Sequence, residues 1–281
     1  MRDFFAVICR NRRALWGMII LGIFLLMAVV GPLVVPLDTA TSYANRYKLP
    51  SWEHPLGTDY AGRDTFQQFI HGSREVITVS FVTAIFTILF AFIVGTTAGI
   101  MGGKVDAIIT FITDIMLTVP SFPVMMILSL AVRITDPISF GLVLSIWSWA
   151  GLARAIRSQI LSLRKRDFIE ASRVLGLKVT HIIFAEILPN ITSYIAINFI
   201  MIMRNAITAS VGLMVLGLVP FSSTHWGMML QMAVGASGAM YGSSAIVYLL
   251  VPIVAITLFQ MGCLFFASGL DEALNPRLRT Q

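Results

Sequence analysis

The stretch VITVSFVTAIFTILFAFIVGTTAGIMGG, Val76–Gly103, carries no charged residue over its whole length. A helix needs about 20 predominantly apolar residues to cross a bilayer's hydrocarbon core. This stretch exceeds that, and it is one of six such runs. The others are Ala14–Pro36 and Ser243–Gly269, both uncharged, and Ala107–Val132, broken only by Asp114. Ile138–Ala153 is the shortest run, and Ile191–Val219, the longest, holds one charge, Arg204. Of the 281 residues 57% are hydrophobic and only 12% charged, about half the charge of an average soluble domain. The mean hydropathy is +0.84. The chain therefore reads as an all-α integral membrane protein with six transmembrane helices.

Charge placement sets the orientation. With the N-terminus in the cytoplasm, fourteen basic residues fall inside, among them Arg2, Arg10, Arg12, Arg13, Lys104 and the cluster from Arg154 to Lys178. Five fall outside: Arg46, Lys48, Arg63, Arg74 and Arg133. This is the asymmetry of the positive-inside rule, and six spans return the C-terminus to the cytoplasm. The net charge of +6 is thus explained by topology and calls for no nucleic-acid partner. The first apolar run is too long for a secretory h-region and lacks a small-x-small cleavage site, so it reads as an uncleaved helix. Cys9 and Cys263 form no disulfide framework.

Residues 1–75 read as an N-terminal tail, the first span and an external loop, and residues 76–281 as the transport core. Chemistry-bearing motifs are scarce. Gly102-Gly103-Lys104 is followed by Val105, where a phosphate-binding loop needs Ser or Thr. His54, His71, His181 and His225 are scattered, and no Cys pair has metal spacing. The expectation is a non-enzymatic chain without bound cofactor or metal.

The cytoplasmic segment is the most informative. Arg166–Pro189 reads RDFIEASRVLGLKVTHIIFAEILP. Asp167 followed three residues later by Glu170 predicts a capping box, with a helix over Phe168–Leu175. Gly176 is suited to end it in the left-handed conformation. A second apolar stretch, Val179–Leu188, leads to Pro189, read as the start of the next membrane helix. The segment, about 167–188, makes a helix, a sharp turn and a second helix: a knob for another protein's groove.

Glu170-Ala171-Ser172, Gly176 and Leu188-Pro189 resemble the E-A-A…G…L-P motif of binding-protein-dependent ABC importer permeases. His54-Pro-Leu-Gly57-Thr-Asp59, Gly62-Arg63-Asp64 and Gly72-Ser-Arg74 resemble the stretch before the transport core in C-type permeases of the dipeptide/oligopeptide/nickel branch. Asp114–Pro120, Leu216-Gly217-Leu218, Trp226-Gly227 and the tail Gly269–Arg279 follow that branch in the same order. The resemblance implies a type I permease fold, five core helices plus one N-terminal helix. It further implies a homologous second permease, two ATPase subunits that carry the ATP and Mg, an extracytoplasmic solute-binding protein, and a bacterial or archaeal plasma membrane (the inner membrane if Gram-negative).

The motif residues Asp167, Glu170, Ala171, Ser172, Gly176, Leu188 and Pro189 are then the ATPase-coupling segment. His54, Gly57, Asp59, Gly62, Arg63, Asp64 and Arg74 are an external gate or binding-protein docking surface, or else a packed loop at the pore mouth. Peptides, dipeptide or oligopeptide, are the implied cargo, with nickel or oligosaccharides as alternatives. A gradient-driven secondary transporter is the alternative from another class, but it wants more intramembrane carboxylates than Asp114. The chain departs from the branch pattern at Ser172, at Thr208-Ala209-Ser210, at Val219 and at Arg204. A charge inside a span costs at least about 2.5 kcal/mol. Arg204 should therefore face the pore and an anionic group, or pair with Asp114 or with the partner permease.

Overall fold

The computed structural model describes residues 11–235 and 245–274. The tail arginines Arg2 and Arg10, Cys9, the beginning of the sixth apolar run and the end of the tail motif, Asn275–Arg279, lie outside the described residues. Helix α1 is Arg12–Val34, α2 Thr65–Met101, α3 Gly103–Thr118, α4 Ser121–Ala131 and α5 Pro137–Leu163. Helix α6 is Asp167–Val174, α7 Leu188–Val215, α8 Trp226–Gly235 and α9 Ile246–Leu274. Among the described residues, five helical segments are long and apolar enough to span a membrane, six if the bent pair α3–α4 counts as one.

Several boundaries depart from the apolar runs. Helix α2 begins at Thr65, not Val76, because Asp64 caps it by accepting the Gln67 N–H at 3.1 Å. At 37 residues it is about 55 Å long, so its first turns stand outside the bilayer and the external loop is shorter than expected. The third run is not one straight helix. It breaks at Val119-Pro120, where α3 and α4 meet at 92°. Val119 is extended (φ −80°, ψ 130°), as the residue before a proline tends to be. The fourth run continues as helix past Ala153 to Leu163. The helix of the fifth run, α7, stops at Val215, where Gly217, at φ +73°, donates to Met214 and Leu218 to Leu213.

Helix α2 is the central post. It packs along α5, α7 and α1, and small residues let the backbones meet: a Cβ on Gly141 of α5 would lie 2.8 Å from the Val79 carbonyl of α2. Helix α1 lies along α9. Its outer flank, Leu26, Leu33 and Val34, is exposed, as suits a helix bathed in lipid. The outer core centres on Trp226. It stacks on Phe69 at 5.6 Å, meets Phe24 edge-on at 5.6 Å, and donates its indole N–H to the Phe69 carbonyl. The inner core gathers Ala91, Ile156, Ile160, Ile169, Ile187 and Ile191, tying the Arg166–Pro189 segment to three membrane helices.

Candidate functional site: a helix–turn knob and a half-open cavity

The Arg166–Pro189 segment folds as a helix and turn, with one correction at its start. Helix α6 begins at Asp167 itself. The N-cap is Arg166, whose backbone carbonyl accepts from Ile169 and Glu170, and no side chain caps the helix. The expected capping box does not form because Asp167 is already inside the first turn, where its charge still favours the helix N-terminus. The other end is as expected. Gly176 sits at φ +73°, its N–H donates to Arg173 at 2.9 Å, and the Leu177 N–H reaches back to Ser172 at 3.1 Å. These two bonds make a Schellman turn.

Two faces of α6 do different things. Ile169 is fully buried and Ser172 nearly so, with the Ser172 hydroxyl donating to the Phe168 carbonyl at 2.9 Å. Glu170, Ala171 and Gly176 are exposed. So are Val174 at 83% and Leu175 at 76%. That apolar pair on the knob's tip was not singled out from the sequence. An apolar doublet directly before a helix-ending glycine was the available signal.

Beyond the turn the chain does not make a separate second helix. Val179–His181 opens a turn of α-helix, and Ile182–Ile187 is a π-helical turn that runs straight into α7. Pro189 has no N–H to give and its ring crowds the carbonyl one turn back. The widened turn accommodates it, with Leu188 donating to Ile183 and the Asn190 amide to the Glu186 carbonyl. The stretch after the Gly176 turn and the membrane helix are thus one continuous rod from Val179 to Val215.

Above the knob, the α3–α4 elbow, α5, α7 and α9 enclose a cavity of about 730 Å³, open on one side. Pro120 and Phe122 line it from the elbow, Trp147 and Ser148 from α5, and Arg204, Asn205 and Thr208 from α7. Gln260 of α9 closes it and donates to the Thr208 hydroxyl at 3.2 Å. Of this set, the sequence marks Arg204 by its charge and Pro120 and Thr208 only as parts of longer motifs; Asn205, Ser148 and Gln260 went unmarked, because uncharged polar residues in apolar runs carry no charge signal. Asp114 does not pair with Arg204. It takes Arg154 of α5, and Asp106 one turn-pair below takes Arg157, whose Nη2 donates to Asp106 Oδ2 at 2.6 Å. Both pairs bridge α3 to α5.

The external segment knits itself together. Asp59 is fully buried. Its Oδ1 accepts from the Ala61 and Arg63 amides, and its Oδ2 from Arg63 Nε at 2.8 Å and Gln68 at 3.0 Å. Burial works to lower the Arg63 pKa, but the hydrogen bond and charge of Asp59 outweigh it and hold it above the ordinary value. His54 Nδ1 lies 2.8 Å from Asp64. Gly57 (φ +71°) and Gly62 (φ +75°) make the two reversals. Arg74 is exposed on α2 and stands apart from this cluster. A second cluster was not foreseen: Glu75 accepts from Ser222 and Thr224 at 2.7 and 2.9 Å. Beside them His225 is fully buried, with Nδ1 accepting the Gly227 N–H at 3.1 Å. Burial pushes its pKa down to about 3, so the ring is neutral.

Residues 91–280, which hold the knob and the cavity, match the model of the binding-protein-dependent transport system inner membrane component. The chain belongs to this family. Residues 1–50 match the N-terminal transmembrane domain of oligopeptide transport permease C. The permease is 32% identical to the oligopeptide transport system permease protein OppC of Bacillus subtilis, over 96% of this chain and 87% of that one. It is 32% identical to the dipeptide transport system permease protein DppC of Alkalihalophilus pseudofirmus (99% and 90%) and 28% identical to DppC of Haemophilus influenzae (99% and 95%). It is therefore a multi-pass membrane component of an ABC importer, a transport subunit and not an enzyme, working with ATPase subunits on other chains. Membership decides against the gradient-driven alternative.

Proposed function

We propose that this permease forms half of the translocation pathway of a peptide importer and that α6 is its coupling element. The carrying observation is the build of the knob. Glu170, Val174, Leu175 and Gly176 face outward, while Ile169 is locked against the inner core. A push on α6 is passed through Ile169 to α5 and α7 without slack, because packed interiors are stiff. The whole helices then swing as near-rigid bodies in alternating access. Dipeptides or oligopeptides are the cargo on the strength of the relatives' names, with nickel or oligosaccharides the competing cargoes.

In this reading a homologous second permease covers the open side of the cavity. Two ATPase subunits bind the ATP and Mg, while this chain binds no cofactor. An extracytoplasmic binding protein docks on the external segment, whose shape the largely buried Asp59–Arg63 pair holds. Both termini are cytoplasmic and the membrane is the bacterial or archaeal plasma membrane.

The test is co-purification with the products of neighbouring genes for wild type, Glu170→Ala and Gly176→Pro. An ATPase that comes down with wild type and is lost or uncoupled in the variants supports the reading. An ATPase held equally by all three removes α6 from the coupling role.

A further inference from the structure

Arg204 is the single ionised side chain lining the membrane cavity among the described residues. It has no acidic partner there, since Asp114 and Asp106 are taken by Arg154 and Arg157. Its Nε is buried with no hydrogen-bond partner. A guanidinium that deep in an apolar protein is retained at a cost, and its planar fork suits a carboxylate held by two parallel hydrogen bonds. Uncharged donors lie on the same wall: the Asn205 amide and the Gln260 amide, the latter already turned toward Thr208. No carboxylate of the described residues lines the cavity, so its field favours the anionic end of a zwitterion and not the ammonium end. Trp147, Leu144 and Phe122 add apolar lining to the cavity.

We propose that Arg204, with Asn205 and Gln260, is a carboxylate subsite of the translocation cavity that holds the C-terminal carboxylate of a peptide in transit. This rests on the peptide reading above and adds a polarity to it: one end of the cargo is recognised within the membrane, after the binding protein has released it. The alternative occupant of Arg204 is an acidic side chain of the partner permease.

The experiment uses the complete importer, both permeases and both ATPases, in nanodiscs. Trialanine and trialanine C-terminal amide are titrated on wild type, Arg204→Gln and Arg204→Lys. Import of trialanine into proteoliposomes with the binding protein present is measured in parallel. The expected result is about tenfold tighter binding of the free acid than of the amide in wild type, a difference of about 1.4 kcal/mol. That preference should be lost in Arg204→Gln and weakened but still present in Arg204→Lys, which keeps the charge without the two-pronged fork, with the four subunits still assembled. Import with no acid-over-amide preference, or a preference that survives Arg204→Gln, overturns the subsite and leaves the peptide reading standing. Loss of assembly in Arg204→Gln together with equal affinities assigns Arg204 to the partner permease and also overturns it. A wild-type complex that imports no trialanine, yet whose ATPase responds to the loaded binding protein, sinks the peptide reading and the subsite with it.

Discussion

The amide of Leu177 donates to the carbonyl of Ser172 at 3.1 Å, and this bond closes the turn that shapes the α6 knob. It exists only because the residue between them in the turn, Gly176, takes φ +73°.

A Cβ at Gly176 would meet nothing within 4 Å, so Gly176→Ala tests conformation alone. The left-handed geometry should cost about 1–2 kcal/mol for a residue with a side chain. Gly176→Pro is more severe, since it also removes the N–H that bonds Arg173. The expected order of ATPase stimulation by substrate-loaded binding protein is wild type, then Ala, then Pro, with the membrane helices unchanged by circular dichroism. Stimulation equal in wild type and Pro rules the turn out as a coupling feature.

Helices α1 and α9 touch through glycine. A Cβ on Gly17 would lie 2.8 Å from the Gly262 carbonyl and 2.9 Å from the Phe265 carbonyl carbon, and one on Gly262 would lie 2.8 Å from Ile20 Cγ2. Small residues at such contacts let membrane helices approach closely. Gly17→Leu should destabilise the protein by about 1–3 kcal/mol through overpacking, seen as a lower midpoint in a thermal aggregation assay. Gly22→Ala, on open space, is the control and should hold or raise the midpoint.

The pairs Asp106–Arg157 and Asp114–Arg154 clamp α3 to α5 near the inner end of the cavity. Asp114 and Arg154 are about half exposed, so a double-mutant cycle with Ala at both positions should return a coupling of about 1 kcal/mol or less. Asp106–Arg157 is better covered and two-pronged, and its coupling should be the larger of the two. The reverse order would show that exposure does not govern these pairs.

Acid should loosen the outer mouth through His225. Its pKa is held near 3 in the folded protein against about 6.5 in an unfolded chain. Between those values the unfolded chain binds the extra proton, so stability falls as pH drops from about 6.5 toward 3 and is flat above neutrality. His225→Asn keeps a group able to accept the Gly227 N–H but does not titrate. Its midpoint temperature should fall less than the wild type's between pH 7 and 4.5. Parallel curves for the two proteins would assign the acid sensitivity to other groups.

Much of this protein is written in one dimension. Uncharged runs longer than a bilayer is thick can only be buried in lipid as helices, since every backbone group must be satisfied within the segment. Asymmetric Lys and Arg placement orients them. The Gly176 turn was legible because only glycine takes that φ freely, and the E-A-S…G…L-P spacing marked the knob. Three-dimensional packing decided the rest. Whether Asp167 caps α6 or enters it depends on where the first turn closes, and sequence spacing cannot distinguish the two registers. The 92° elbow at Pro120 and the π-turn before Pro189 are different answers to the same missing N–H, chosen by the surrounding helices. Arg154 and Arg157, distant in sequence from Asp114 and Asp106, reach them across the α3–α5 contact. That pairing leaves Arg204 alone in the cavity, because a partner for a buried charge is selected by distance in space and not along the chain.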